Sequence, residues 1–201
     1  MKILGLSCSP RKAGNTVILL EEALAGAREE GAETELYSVS GKNIQSCDGC
    51  WVCVRTGKCH IEDDLPPLFN KMAEADGIIF GTPVYVYSMT GQAKIIMDRM
   101  VSFNTPQRSL ANKVCGVIVT AGSLGIIDPA KDLCFYMVMH RMIPANVVGV
   151  YGTGKGDVRQ MTKGMQAARD LGREMVQIAA KKFTYPPGFT LNHYAFGTHT
   201  R

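Results

Sequence analysis

Short apolar runs alternate along this chain with longer amphipathic segments. Five of the runs are nearly continuous in apolar residues, which is typical of strands buried on both faces of a sheet. Because strands that alternate with helices build a parallel sheet covered on both sides, the pattern predicts an α/β fold of three layers. The predicted strands are residues 2–7, 34–39, 77–81, 114–120 and 146–150, and the predicted helices are residues 16–30, 65–75, 89–101, 128–142 and 158–182.

The composition changes after residue 182. The last segment, residues 183–201, holds two adjacent prolines, two histidines and five aromatic residues. It cannot be helical throughout, and it is too apolar to be simply disordered. We therefore divide the chain into one domain, residues 1–182, and an aromatic C-terminal arm. We expect residues 186–201 to lie on a neighbouring subunit, the alternative being an arm folded back on its own sheet edge.

The bulk composition indicates a globular protein. Of the 201 residues, 46% are hydrophobic and 20% charged, and no apolar run approaches the length of a membrane helix. The N-terminus has no signal-peptide pattern, so we expect a cytoplasmic location and no membrane partner. The net charge of +4 is spread without a Lys/Arg block, so no nucleic-acid partner is expected.

The loop after the first predicted strand is rich in hydrogen-bond donors. It reads Ser-Cys-Ser-Pro-Arg-Lys-Ala-Gly-Asn-Thr over residues 7–16 and opens a helix, whose N-terminus favours an anion. It matches neither the dinucleotide fingerprint nor the P-loop. Hydroxyl donors with one arginine suit a terminal monophosphate such as that of FMN. The alternative is a capped turn in which Asn15 or Thr16 begins the helix and Arg11 is solvated.

Two further loops follow the third and fourth predicted strands, at the sheet edge where ligands of such folds bind. Residues 81–92 offer turn backbone and two tyrosines, Tyr85 and Tyr87, which suit a flavin ring with its apolar faces and polar edge. Residues 120–125 are small and permit close approach to a ring. The alternative is that the tyrosines only pack.

Four cysteines lie within thirteen residues, in the spacing C-x2-C-x2-C-x5-C. They are Cys47, Cys50, Cys53 and Cys59, within a loop of residues 41–60. Thiolates are soft ligands, and the first three match the start of a bacterial ferredoxin motif. The spacing favours a [4Fe–4S] cluster. Zinc, whose ligands usually come as two separated pairs, and free thiols are the alternatives.

Two of these segments resemble the flavodoxin-like NAD(P)H-dependent FMN reductases. They are Ser-x-Ser-Pro-Arg-x-x-Gly-Asn-Thr and Gly-Thr-Pro-Val-Tyr-x-x-Ser-Met-x-Gly-Gln-x-Lys-x-x-x-Asp-Arg, residues 81–99. With the cysteine run between them, the chain resembles the iron–sulfur flavoproteins of that superfamily. The resemblance implies a flavodoxin-like three-layer sandwich with a five-stranded parallel sheet in the order 2-1-3-4-5.

The resemblance also implies roles for particular residues. Ser9, Arg11, Asn15 and Thr16 would hold the FMN phosphate, Pro83, Val84 and Tyr85 the flavin ring, and the four cysteines a [4Fe–4S] cluster. Loop position adds further candidates for cofactor contact, namely Thr82, Tyr87, Ala121, Gly122 and Ser123. No catalytic residue is predicted, since the cofactors carry the redox chemistry.

The predicted function is electron transfer between a one-electron carrier and an acceptor that a flavin can reduce. The expected partners are a ferredoxin-like carrier or NAD(P)H, a small-molecule acceptor, and further copies of the chain in a homodimer or homotetramer. One alternative is an NAD(P)H-dependent FMN or quinone reductase with an accessory cysteine loop. Another is a non-enzymatic flavodoxin-like module with a structural zinc loop.

Overall fold

The computed structural model of the chain describes residues 1–103 and 109–190. Its strands are β1 (Lys2–Ser7), β2 (Glu33–Ser38), β3 (Gly77–Tyr85), β4 (Ser88–Met89), β5 (Val114–Ala121) and β6 (Ile143–Tyr151). Its helices are α1 (Asn15–Glu29), α2 (Val52–Thr56), α3 (Leu65–Glu74), α4 (Gly91–Arg99), α5 (Ile127–Met139) and α6 (Thr162–Ala180). All five predicted strands and five predicted helices are present, so the α/β class is confirmed.

The sheet is parallel apart from one short hairpin. Its order is β2-β1-β3-β5-β6, and β4 pairs only with β3, antiparallel. The predicted order 2-1-3-4-5 is corrected because the chain has a sixth strand of two residues, β4, that the sequence pattern did not indicate. When β4 is left out, the five long strands lie side by side in the predicted arrangement. Their carboxyl ends therefore meet at one edge.

Helices cover both faces of the sheet. On one face, α1 and α6 pack through buried residues such as Leu20 and Leu171, and on the other α3, α4 and α5 pack through Leu68, Ile96 and Leu133. The contact between α1 and α6 is close: a Cβ at Gly172 would lie 1.8 Å from the carbonyl oxygen of Ala23. The two helices can approach this far only because that position carries no side chain.

Two strands are longer than the apolar runs that predicted them. β3 continues to Tyr85 because Thr82 and Pro83 still pair with β5, opposite Val119 and Thr120. β6 spans Ile143–Tyr151 as the last strand of the sheet, with alternating exposed residues. Such alternation masks a strand in a search for continuous apolar runs.

The first part of the C-terminal arm lies against the domain. The Tyr185 backbone N–H donates to Asn112 Oδ1 at 2.8 Å, and the Arg141 guanidinium lies 5.4 Å from the centre of the Tyr185 ring. The predicted arm, residues 186–201, lies beyond residue 190 for most of its length and so mostly outside the described residues. Among the residues described, no helix has the length and apolar character needed to cross a membrane.

Candidate functional site

A cavity of about 140 Å³ opens at the carboxyl ends of β1, β3 and β5. It brings together most of the residues that the sequence singled out for a cofactor. Its lining consists of Ser9, Arg11, Gly14, Asn15, Thr16, Pro83, Val84, Tyr85, Thr120, Ala121, Gly122, Gly152 and Thr153. Three predicted contacts, Thr82, Tyr87 and Ser123, are not part of that lining.

The N-terminus of α1 forms one wall of the cavity. Its first residues follow Gly14, which is extended and caps the helix without a side-chain hydrogen bond. The first backbone N–H groups of a helix have no partner inside it, and they carry the positive end of the helix dipole. Because Gly14, Asn15 and Thr16 line the cavity, these donors face a space that suits an anion.

Hydroxyl groups and one guanidinium surround the same space. Ser9 is buried, and its Oγ accepts a hydrogen bond from the Arg11 backbone N–H at 3.2 Å, which bends the loop over the helix start. The Thr16 and Thr120 hydroxyls lie 2.8 Å apart and join α1 to β5. The Arg11 side chain is exposed at the cavity rim. The arrangement provides hydrogen-bond donors and positive charge around one space.

Asn15 lines the cavity, but its side chain forms hydrogen bonds with the loop after β6. Its Nδ2 donates to the carbonyl oxygens of Gly152 at 3.1 Å and Gly154 at 2.9 Å, and its Oδ1 accepts from the Gly156 N–H at 2.8 Å. The Asn15 carboxamide is therefore engaged in hydrogen bonds to this loop. The backbone N–H of Asn15 is the group that remains for an anion.

The loop after β6 also supplies Gly152 and Thr153 to the cavity, and the sequence reasoning missed both. A Cβ at Gly152 would lie 3.0 Å from Asn15 Nδ2, so the loop approaches α1 closely. The signal was present in the sequence as Gly-Thr-Gly, which begins two residues after the end of the last predicted strand, at the sheet edge where ligands bind.

The β3–β4 hairpin supplies the opposite wall. Pro83, Val84 and Tyr85 line the cavity, while Thr82 is fully buried and accepts from the Thr90 N–H at 3.3 Å. Thr82 thus supports the hairpin from behind instead of facing the cavity. At the hairpin tip, Val86 and Tyr87 both have positive φ, 48° and 66°, and are largely exposed.

Ala121, the last residue of β5, and Gly122 in the loop after it line the cavity, whereas Ser123 is exposed to solvent. Apart from its chain neighbours, no described residue has an atom within 4 Å of a Cβ built at Gly122, so the backbone there is open to a ligand. Further along, Gly125 has φ 87°, and a Cβ there would lie 3.1 Å from the Tyr87 Cα. Glycine at this position lets the loop after β5 pack directly against the hairpin tip.

The four clustered cysteines lie in the loop that follows β2, at the same edge of the sheet. Cys47 and Cys50 are exposed, and Cys53 and Cys59 are partly buried. Burial, and after it the neighbouring thiols of Cys59, Cys47 and Cys50, raise the pKa of the Cys53 thiol. The thiols of Cys47, Cys50 and Cys59 therefore lie near enough to Cys53 to affect its pKa.

Local backbone turns bring the thiols together. Gly49, Trp51 and Gly57 have positive φ, and the short helix α2 carries Cys53 between the last two. The Gly57 N–H bonds the Cys53 carbonyl at 2.8 Å and the Gly49 N–H bonds Cys47 Sγ at 3.5 Å. The sequence did not predict α2, because its five residues are too short to show periodicity.

A buried ion pair closes the base of the cysteine loop. Arg99, at the end of α4, pairs with Asp63, and both side chains are fully inaccessible to solvent. Burial would raise the pKa of Asp63, but hydrogen bonds from Arg99, Gln45 and Leu65 outweigh it and hold that pKa below its ordinary value. Arg99 also donates to Cys59 Sγ at 3.5 Å. Sequence reasoning placed Arg99 in a motif but assigned it no role.

The donor sets fit the two expected cofactors. Helix N–H groups, hydroxyls and a guanidinium around a small cavity suit a phosphate, and the adjoining hairpin backbone and Tyr85 suit a flavin ring. Four thiols in one loop, one of them accepting an N–H from a guanidinium, suit a soft metal centre. By contrast, burial raises the pKa of Cys8 to about 12, so that thiol stays protonated within residues 7–16, which we call the phosphate loop.

The comparisons with known proteins agree with this geometry. The NADPH-dependent FMN reductase family matches residues 1–154. An iron–sulfur flavoprotein of Methanocaldococcus jannaschii is 38% identical over 191 residues, covering 89% of this chain and 97% of the relative. An iron–sulfur flavoprotein of Methanosarcina thermophila is 32% identical over 184 residues, covering 89% and 95%.

Solved structures show the same fold. A flavodoxin from the domain Archaea superposes with a TM-score of 0.58 at 16% identity, covering 90% of this chain and 99% of its own. The expected flavodoxin-like sandwich is thereby confirmed. The match over residues 1–154 and the two relatives covered almost end to end establish the family. This flavin-binding oxidoreductase belongs to the NADPH-dependent FMN reductase family and, within it, to the iron–sulfur flavoproteins.

Proposed function

We propose that this protein transfers electrons between a one-electron carrier and a small-molecule acceptor, using FMN and a [4Fe–4S] cluster. The observation that carries the proposal is the placement of two different donor sets at one edge of the sheet. The cavity at α1 offers donors for a phosphate, and the loop after β2 offers four thiols within thirteen residues. Bound FMN would supply one- and two-electron chemistry, and the cluster one-electron transfer.

The cavity residues have separate tasks in this proposal. The α1 N-terminus, Ser9 and Arg11 bind the phosphate, and Thr16 holds its helix against Thr120 on β5. Pro83, Val84 and Tyr85 bind the ring along one side, and Ala121 and Gly122 along the other. Thr82 supports the hairpin through the Thr90 N–H. Asn15 keeps the loop after β6 in place.

A hydrogen bond joins the phosphate loop to the residue that precedes the cysteine loop. Ser40, which follows β2, donates from its hydroxyl to the Pro10 carbonyl at 2.7 Å. The two loops are thus held side by side. In the proposed function Cys47, Cys50, Cys53 and Cys59 ligate the cluster, and electrons pass between the two sites within one chain or between subunits of a homodimer or homotetramer.

A second candidate function is supported by the family match. The matching family is described as NADPH-dependent, which favours NAD(P)H as the electron donor. In that case the protein would be an NAD(P)H-dependent FMN or quinone reductase with an accessory cysteine loop. Anaerobic reduction of the bound flavin by NADPH, compared with reduction by reduced ferredoxin, separates the two donors.

The cluster is tested on protein purified without oxygen. We expect about four iron and four sulfide per chain beside one FMN, with a broad visible absorbance over the flavin bands. Cys50→Ser should lose the iron and keep FMN, because serine is a harder and less acidic ligand. Cys134→Ser on α5 is the matched control and should keep both. Zinc in place of iron, or full iron in Cys50→Ser, would contradict the assignment.

A further inference from the structure

Arg99 is a buried cation that donates, among the described residues, to groups on both sides of the four cysteines and to Cys59 itself. Its side chain has no solvent exposure. Nη1 donates to the Gln45 carbonyl at 3.2 Å and to the Asp63 carboxylate, and Nη2 donates to Cys59 Sγ at 3.5 Å and to the Ile61 carbonyl at 3.3 Å. A charge at this depth is costly unless it is paired, so the site needs an explanation.

These contacts join the two stems of the loop. Gln45 precedes the first cysteine by two residues, and Ile61 follows the last by two. Asp63 reinforces the closure, since its carboxylate also accepts from the Gln45 N–H at 2.8 Å and the Leu65 N–H at 3.0 Å. The fork of the guanidinium can bind several acceptors at once in fixed directions, which a lysine ammonium cannot do.

We propose that Arg99 is the positioning residue of the metal centre. It holds Cys59 at the base of the loop and sets the reduction potential of the cluster through its N–H to that sulfur. This inference rests on the proposed [4Fe–4S] cluster. Arg99 ligates no metal itself and acts only through Cys59 and the loop stems.

Arg99 should raise the reduction potential of the cluster, because the reduced cluster carries more negative charge than the oxidised one. Four thiolates and a cluster bring net negative charge to the loop, and each added electron makes it more negative. Asp63 offsets the charge of Arg99, so the N–H that Arg99 donates to a ligand sulfur carries the effect. That N–H stabilises the reduced form more than the oxidised form, which raises the potential. Low solvent access to the guanidinium preserves this effect, because water does not screen the donor.

The test compares Arg99→Lys and Arg99→Gln with the wild-type holoprotein, purified without oxygen. Iron and sulfide content, the rate of iron loss to a chelator and the midpoint potential from an EPR-monitored titration are measured. Arg99→Lys keeps the charge but not the fork, and we expect it to retain cluster at a lower potential. The expected shift is on the order of tenfold in the reduced-to-oxidised ratio, about 59 mV for one electron. Arg99→Gln should lose iron faster and retain FMN.

The matched control is another arginine that joins two elements by ion pairs. Arg169 on α6 binds Glu22 and Glu29 on α1, far along the chain from the cysteine loop. Arg169→Lys and Arg169→Gln should lower thermal stability and leave the cluster potential and iron release unchanged. Thermal unfolding of all four variants separates loss of fold from loss of cluster.

The outcomes distinguish this inference from the proposed function. Wild-type protein without iron and sulfide would overturn the proposed function. Wild-type protein with a full cluster, but with potential and iron release unaltered in folded Arg99→Lys, would overturn the role of Arg99 alone. Equal potential shifts in the Arg99 and Arg169 variants would also overturn it, since they would indicate a general effect of weakened folding.

Discussion

At the scale of single residues, Arg11 supplies the positive charge of the cavity lining. Its side chain lies at the rim, where it adds a cation to the neutral donors of α1. A charge-assisted hydrogen bond is worth about 1.5–3 kcal/mol, which is roughly a 10- to 150-fold change in affinity. Riboflavin lacks the phosphate, so it does not depend on this contact.

We therefore expect Arg11→Ala to weaken FMN binding roughly 10- to 150-fold and to change riboflavin binding little. Isothermal titration of the apoprotein with both flavins measures the difference. Lys12→Ala is the control, because Lys12 is an exposed neighbour outside the cavity lining. Equal losses for the two flavins, or an equal effect of Lys12→Ala, would show that Arg11 does not bind the phosphate.

His140 makes stability depend on pH. It is 5% exposed, its ring lies 4.4 Å from that of Tyr136, and burial lowers its pKa from the ordinary 6.5 to about 4. Between these values the unfolded chain binds a proton that the folded protein does not. Stability contributed by the neutral imidazole is therefore present above pH 6.5 and is lost as the pH falls towards 4.

The resulting loss of unfolding free energy is about 3 kcal/mol across this range. Urea unfolding at several pH values measures it, in a Cys50→Ser background so that acid release of metal does not contribute. In His140→Gln the curve should be flatter between pH 6.5 and 4. A slope identical to that of the parent protein would assign the pH dependence to other groups.

Single residues also show how far the sequence could predict the site. The residue types of the phosphate loop were recognisable because they are contiguous, from Ser9 to Thr16. The hydrogen bonds of the Asn15 carboxamide could not be recognised from the sequence. Its partners Gly152, Gly154 and Gly156 lie more than 130 residues away along the chain. Contacts of this separation depend on the fold and have no local signature.

At the scale of elements, the β3–β4 hairpin contains a strained turn. Val86 and Tyr87 occupy the left-handed region at φ 48° and 66°, and Val86 is 91% exposed. A β-branched residue in that region is an outlier that costs about 1–2 kcal/mol. Hairpin turns of this kind normally carry Asn-Gly or Gly-Gly, so Val-Tyr gave no turn signal and β4 was not predicted.

Val86→Gly should consequently stabilise the fold by about 0.5–1 kcal/mol, since the relief of strain exceeds the extra entropy of glycine in the unfolded chain. Chemical denaturation of the apoprotein measures the change. Val138→Gly is the matched control: Val138 is 54% exposed on α5, where glycine weakens a helix and should destabilise. If Val86→Gly also destabilised, the turn would not be strained.

Helix α4 is the element that connects both candidate sites. Its N-cap, Thr90, donates from its hydroxyl to the Cys8 carbonyl at 2.8 Å beside the phosphate loop, and its last residue, Arg99, closes the cysteine loop. The sequence predicted this helix as residues 89–101 from its periodicity. It could not predict the connection, because the burial of Arg99 depends on Asp63 in a distant loop.

At the scale of the whole molecule, the sheet and its two helical layers followed from the alternation of apolar runs. The edge that carries the site also followed, since parallel strands place their carboxyl ends together. The position of the end of the chain did not follow from the sequence pattern. Phe183 and Phe189 are 54% and 56% exposed, and residues 191–201 lie outside the described residues.

The arm beginning at Pro186 gives the last prediction. Tyr185 is fixed on its own domain by Asn112 and Arg141, so the chain that follows leaves from a defined point. Its aromatic residues need an apolar partner, and we expect that partner to be a neighbouring subunit. Removing residues 186–201 while keeping the Tyr185 anchor should then lower the molar mass measured by light scattering.

Truncation after Lys182 should have the same effect on assembly and should also lower thermal stability, because it removes the Tyr185 contacts. Tyr185→Ala in the full-length chain is the control, since it weakens the anchor and leaves residues 186–201 in place. An arm that folds back on its own sheet edge gives a different result. The truncated chains would then keep the molar mass of the full-length protein and lose only stability, because an intrasubunit contact contributes to folding and not to association.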